Sequence, residues 1–161
     1  MISIPWDKRG TELTTPEAIA LVQGSSLLIE RFGEWPSFED AEVLTLSLDR
    51  GNHEWVVRTA RWSERVPPSL TATFYVFDSR FAHDDPKRRP SLTTIKFSEF
   101  EQFEVDGFNH QNPILGLGMR LVHSPERRQH MFLVDWGGTG LNHEVRFTCE
   151  SVRVESVAPD A

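Results

Sequence analysis

Cysteine is almost missing: Cys149 is the only one, so no disulfide can close within the chain. That usage suits a reducing compartment. No apolar run approaches the roughly 18 residues that a membrane-spanning helix needs. The opening MISIPWDKRG lacks the basic stretch followed by an apolar run that marks a signal peptide. Together these absences set the expectation of a cytoplasmic protein. Positive charge is in deficit too, with 17 Lys and Arg against 24 Asp and Glu, a net of −7. The deficit argues against general nucleic-acid or anionic-membrane binding, which needs a positive field, and it suits a basic protein partner.

Catalytic patterns are equally scarce. There is no G-x-S-x-G elbow, and Cys149 sits on an apolar strand face, the usual place of a packing cysteine. Six histidines (His53, His83, His110, His123, His130 and His143) include no i, i+4 pair, and there is no H-E-x-x-H or C-x-x-C. Asn-His-Glu occurs at residues 52–54 and 142–144, so His53 and His143 could share a metal if their turns met; turn hydrogen bonding is the plainer role. The glycines at 137–140 join two strands and those at 116–118 lie within one, so neither forms a phosphate cradle. Lys87-Arg88-Arg89 is a short basic loop flanked by prolines and without aromatic interleaving. Glu99, Glu101, Glu104 and Asp106 read as an acidic edge, a solvated face that could also receive a basic partner. No catalytic residue, metal or cofactor is assigned.

Aromatic side chains are abundant by contrast: 11 Phe and five Trp in 161 residues, enough to fill a core or anchor a binding patch. The length fits one domain spanning 1–161. Residues 1–40 read as a helical and irregular part. Thr15-Pro16-Glu17 is a helix start, with a hydroxyl cap and Pro at the first position. Gly24 is expected to end that helix. A second, short helix carries Leu27, Leu28, Ile29 and Phe32 and stops at Gly33; a strand is the alternative for that run.

Residues 41–157 have a period of two. Leu44, Leu46 and Leu48 alternate with polar residues and predict a strand with one buried face. A turn at 49–52 leads to a return strand over 55–62, which Pro67-Pro68 breaks. Residues 70–77 are apolar on both faces and predict a central strand. A polar loop over 78–91 follows. Phe100 and Phe103, three apart, suggest a helical turn before a short strand at 103–108. Further strands are expected around 115–121 and 131–136, and finally one with Val145, Phe147 and Cys149 on one face. A bulge near Glu150-Ser151 would bring Val152 and Val154 to that same face. The fold class is therefore mainly β (α+β): an antiparallel meander sandwich or curled sheet of about eight strands, with one or two short N-terminal helices.

Two segments are candidates for recognition. In Gly33-Glu34-Trp35-Pro36-Ser37-Phe38-Glu39-Asp40, the plain reading has Trp35 and Phe38 plugging the sheet end. In Gly107-Phe108-Asn109-His110-Gln111-Asn112-Pro113, it is a turn network satisfying backbone groups. The functional reading of both is a polar rim beside aromatic anchors: Trp35, Phe38, Asp40, Phe108, Asn109, Gln111 and Asn112.

With the following Asp-Ala-Glu-Val and the closing Phe147-x-Cys149, these segments resemble the immunity protein 50 family of bacterial polymorphic-toxin systems. The resemblance covers residues 28–154. Glu39 stands where members of that family often carry histidine, and residues 78–91 are longer and more basic than its pattern. It implies a small cytoplasmic protein with no activity of its own, which binds and blocks a cognate toxin. The alternatives are a small-molecule-binding or enzymatic β-domain with a pocket near residues 35–38 and 108–112, or a subunit of a homodimer or larger homo-oligomer.

Overall fold

A computed structural model describes residues 14–108, 112–137 and 144–160. Two short helices, α1 (Pro16–Leu21) and α2 (Ser25–Phe32), precede the strands β1 (Glu42–Asp49), β2 (Trp55–Val56), β3 (Arg61–Trp62), β4 (Ser69–Val76) and β5 (Ser91–Ser98). They are followed by β6 (Glu101–Asp106), β7 (Leu117–Ser124), β8 (Gln129–Gly137), β9 (Glu144–Cys149) and β10 (Ser151–Pro159). All strand pairs are antiparallel. One four-stranded sheet has the order β1-β4-β5-β10 and the other β6-β9-β8-β7, while β2 and β3 pair only with each other. The mainly β class with two N-terminal helices is thus as the sequence indicates.

The two larger sheets pack face to face through aromatic rings. Phe74 of β4 meets Trp136 of β8 at 5.3 Å, and Phe97 of β5 meets Phe147 of β9 at 4.9 Å. Alternation explains which residues do this: Leu70, Ala72, Phe74 and Val76 are buried on β4, as are Thr93, Ile95 and Phe97 on β5. β4 lies between β1 and β5, in the central position its two apolar faces indicate.

The sheets also share a corner. β5 passes into β6 through Glu99, whose φ is +56°, and β9 passes into β10 through Glu150. Ser98 pairs with Ser151 on one side of the bend and Glu101 with Thr148 on the other, so two neighbouring strands change sheet together. In place of the bulge expected near Glu150-Ser151 within one closing strand, the chain turns this corner and continues as a second strand in the other sheet. The corner keeps Val145, Phe147, Cys149, Val152 and Val154 all buried.

Three further expectations about the strands are corrected. The leucines at 44, 46 and 48 do not form a buried face: the register of β1 shifts between Val43 and Thr45, Leu44 is 44% exposed, and Leu46 and Leu48 oppose Ala72 and Leu70 but Leu48 remains 50% exposed, so Val43 is the buried residue of the strand. Residues 55–62 are not the return strand of β1; β4 is, and 55–62 form a separate hairpin. Phe100 and Phe103 touch at 5.9 Å across the irregular start of β6, not on a helical turn.

The helices close one open side of the sandwich. Thr15 N–H donates to Met119 O of β7 at 2.9 Å. Gln23 donates to Val152 O at 2.9 Å and accepts from Val154 N–H of β10 at 2.8 Å. The helical segment thereby bonds an outer edge of each sheet, protecting both from pairing elsewhere. Gly24 does not end α1 as expected, since α1 stops at Leu21 with Val22 as its cap; it starts α2, with φ +71° and so little room that a Cβ would stand 2.6 Å from Val154 O. Gly33 stops α2 with its N–H on Ile29 O at 2.7 Å.

Candidate functional site

The two segments singled out in the sequence do come together. Asp40 N–H donates to Ile114 O at 2.9 Å, Val43 N–H to Asn112 O at 3.0 Å, and Ile114 N–H to Ala41 O at 2.9 Å. They form a backbone seam beside β1. Phe38 lies inside it, in the left-handed region at φ +60°, with its ring 5.5 Å from Phe74 and 5.9 Å from Trp35. A bulky residue holds that conformation only where its surroundings over-determine it, and here the core does. Asn112 is buried and donates its side-chain amide to Val43 O at 3.4 Å. Asp40 is exposed, Phe108 is half-exposed and Trp35 half-buried. Asn109, Gln111, His110 and His143 lie outside the described residues.

Beside Trp35 is a cavity of about 410 Å³. Phe32, Trp35, Phe77 and Leu117 give it apolar walls, and Glu34, Glu39, Asp78 and Arg80 give it a charged rim. Arg80 bonds Asp78 at 2.7 Å and Glu34 at 3.0 Å. The Arg80 hydrogen bond holds the Asp78 carboxyl below its ordinary range, and the same contact raises the guanidinium. Two of the three carboxylates on the rim are therefore already matched. The Trp35 indole N–H finds no partner among the described residues.

The most exposed apolar feature lies elsewhere, in residues 50–66. These extend the β1–β4 hairpin beyond its sheet as a free two-stranded arm. Asn52 and Val66 exchange backbone bonds of 2.9 and 2.8 Å at its base. Gly51 is obligatory there, since a Cβ would lie 2.1 Å from Val66 O. Trp55 faces Trp62 and Val56 faces Arg61, enclosing the turn 57–60. The two indoles meet edge to face at 5.8 Å, with His53 4.9 Å from Trp62. Trp55 is 52% exposed, Trp62 60% and Val57, at the tip, 84%. Arg65 clamps the arm to the body by a two-pronged bond to Glu99, one prong of which is 2.8 Å. This contact lowers the Glu99 carboxyl and raises the Arg65 guanidinium.

Sequence reasoning placed residues 55–62 in the sheet and so overlooked the arm as a surface. The signal was there: four arginines between positions 50 and 65 are too many for a strand packed against a core. The acidic edge is also less free than its composition indicates. Glu99 is bound by Arg65, and Glu101 and Glu150 share Arg127.

Of the groups suited to chemistry, Cys149 is buried and burial raises its thiol pKa, which disfavours the thiolate. His123 and His130 face each other across β7 and β8 at 5.6 Å. Among the described residues no three of His, Cys, Asp and Glu gather as a metal site requires, and no helix is long and apolar enough to cross a membrane. No family model matches the chain, and neither does any curated protein or any solved structure.

Proposed function

We propose that this protein is a non-enzymatic immunity protein that binds a cognate bacterial toxin and neutralises it by covering it. The observation that carries the reading is the arm. A two-stranded ribbon standing clear of its sheet is marginal by itself, and exposed tryptophans cost solubility without adding to the core. Trp and Arg are the residues on which binding energy concentrates at protein interfaces. The arm presents both, held by Gly51 and by the Arg65–Glu99 clamp. The resemblance of the two sequence segments to the immunity protein 50 family supplies the class of partner.

The test is to read the genes that flank this one for a toxin domain and to co-express the chain with it; flanking genes that encode no toxin count against the proposal. The wild-type chain is expected to restore growth and to co-purify with the toxin. Trp55→Ala/Trp62→Ala is expected to lose both while melting at the wild-type temperature. Failure of the wild-type chain to rescue or to form a complex sinks the proposal.

A second reading, a small-molecule site, is favoured by the cavity beside Trp35, whose roughly 410 Å³ falls in the ordinary range of ligand pockets. Its aromatic walls and acidic rim suit an organic cation. A melting screen against small amines and guanidines in which nothing shifts the transition removes it.

A further inference from the structure

We infer that the arm inserts into a carboxylate-lined cleft of the partner protein, with Arg58 and Arg61 as the charges that select it. This rests on the covering function proposed above and adds the chemistry of the surface covered. Charge is the first observation. Residues 50–66 hold four arginines and two glutamates, 4 − 2 = +2, so the rest of the chain carries −7 − 2 = −9. Arg50 is matched by Glu54 at 3.4 Å and Arg65 by Glu99, whereas Arg58 and Arg61 have no carboxylate partner among the described residues. The unmatched positive charge thus sits at and beside the tip of the arm.

Shape is the second observation. Trp55 and Trp62 oppose one another on one face of the ribbon, and Val56 and Arg61 on the other, because successive strand residues alternate. Both faces and the tip are exposed. A flat partner could cover only one of them; a cleft covers both and also receives Val57 and Arg58. Guanidinium groups favour carboxylates, which they bind with two parallel hydrogen bonds. A cleft rich in carboxylates is the complement, and plugging such a cleft is a direct means of blocking a partner. The acidic body, at −9, meets the positively charged surroundings of the cleft on an otherwise basic partner.

The test titrates the full chain with the toxin domain that the co-expression experiment identifies, by calorimetry at low and high salt. Arg58→Glu/Arg61→Glu is expected to weaken binding at least about tenfold and to flatten the salt dependence, with no change in melting. Arg58→Lys/Arg61→Lys is expected to recover part of the loss. If the wild-type chain binds and the charge-reversed variant binds equally well, this inference falls and the covering function stands. If the wild-type chain does not bind, both fall. Two controls oppose the inference directly. One is quenching of the arm tryptophans by a short oligothymidylate that the reversed variant abolishes, which assigns the arm to single-stranded nucleic acid. The other is concentration-dependent self-association that the same variant abolishes, which assigns it to a second copy of the chain.

Discussion

Trp136 is enclosed by Phe74, Phe97 and Phe147, with ring centroids 5.3 to 6.0 Å away, and it is fully buried. Two of these three contacts, with Phe74 and Phe147, are edge to face, the geometry in which aromatic quadrupoles attract. One side chain therefore bridges both sheets. Trp136→Ala is expected to cost about 3–5 kcal/mol, seen as a large drop in chemical-denaturation midpoint. A loss below about 1 kcal/mol would falsify the role of this ring as the centre of the core. Trp55 and Trp62 are the same residue type in the opposite setting. Their rings meet each other and His53 and are otherwise largely exposed, at 52% and 60%, so their truncation belongs with surface changes, near zero in global stability. Composition can count tryptophans but cannot say which of them face water, because that is decided by which strand finds a partner sheet.

At the scale of elements, the arm is an extension of the β1–β4 hairpin held at its root. Its clamp has a pH dependence with a definite sign. Hydrogen bonds from Arg65 are the main cause of the lowered Glu99 carboxyl. A carboxylate depressed in the folded state contributes its stabilisation fully above its unfolded value, about 4.3, and loses it as pH falls through the lower folded value. The arm is therefore expected to loosen in acid below about pH 4, with the body still folded. The indole signals of Trp55 and Trp62 in NMR report this, and Glu99→Gln is expected to show the loosened signals at neutral pH with no further acid step. A wild-type response that survives in Glu99→Gln assigns the acid step to other carboxylates. Helix boundaries were legible from local chemistry: the Thr15 hydroxyl caps α1 through the Ala18 N–H at 3.3 Å, and Gly33 stops α2. The arm was legible only in its arginines and not in its pattern, since alternation over 55–62 is the same for a ribbon in water as for a strand in a sheet.

For the whole molecule, the sandwich is built without the arm. The paired sheets, the shared corner at Glu99 and Glu150, and the helices bonding β7 and β10 make a closed set of contacts. Replacing residues 53–65 by Asn-Gly would leave Asn52 opposite Val66 across a two-residue hairpin turn. The shortened chain is expected to fold with stability within about 1 kcal/mol of the parent, and to have lost toxin binding. Thermal melting and a pull-down check the two halves independently. Loss of folding would make the arm structural and remove the basis of the covering function.

The chain's local chemistry determined its class: period-two alternation, breakers at Gly and Pro, a capped helical start, and the parity change at Glu150 that the sheet corner satisfies. The seam between residues 38–43 and 112–115 was legible only as two unusual segments. The tertiary structure decided that they pair and that Phe38 and Asn112 are consumed in doing so. It also decided that Leu44 turns outward at a bulge and that residues 50–66 leave the body. The reason is physical: alternation records which faces of a strand differ in polarity, whereas burial depends on what other strands place against those faces. That is a matter of non-local pairing, which no window of sequence contains.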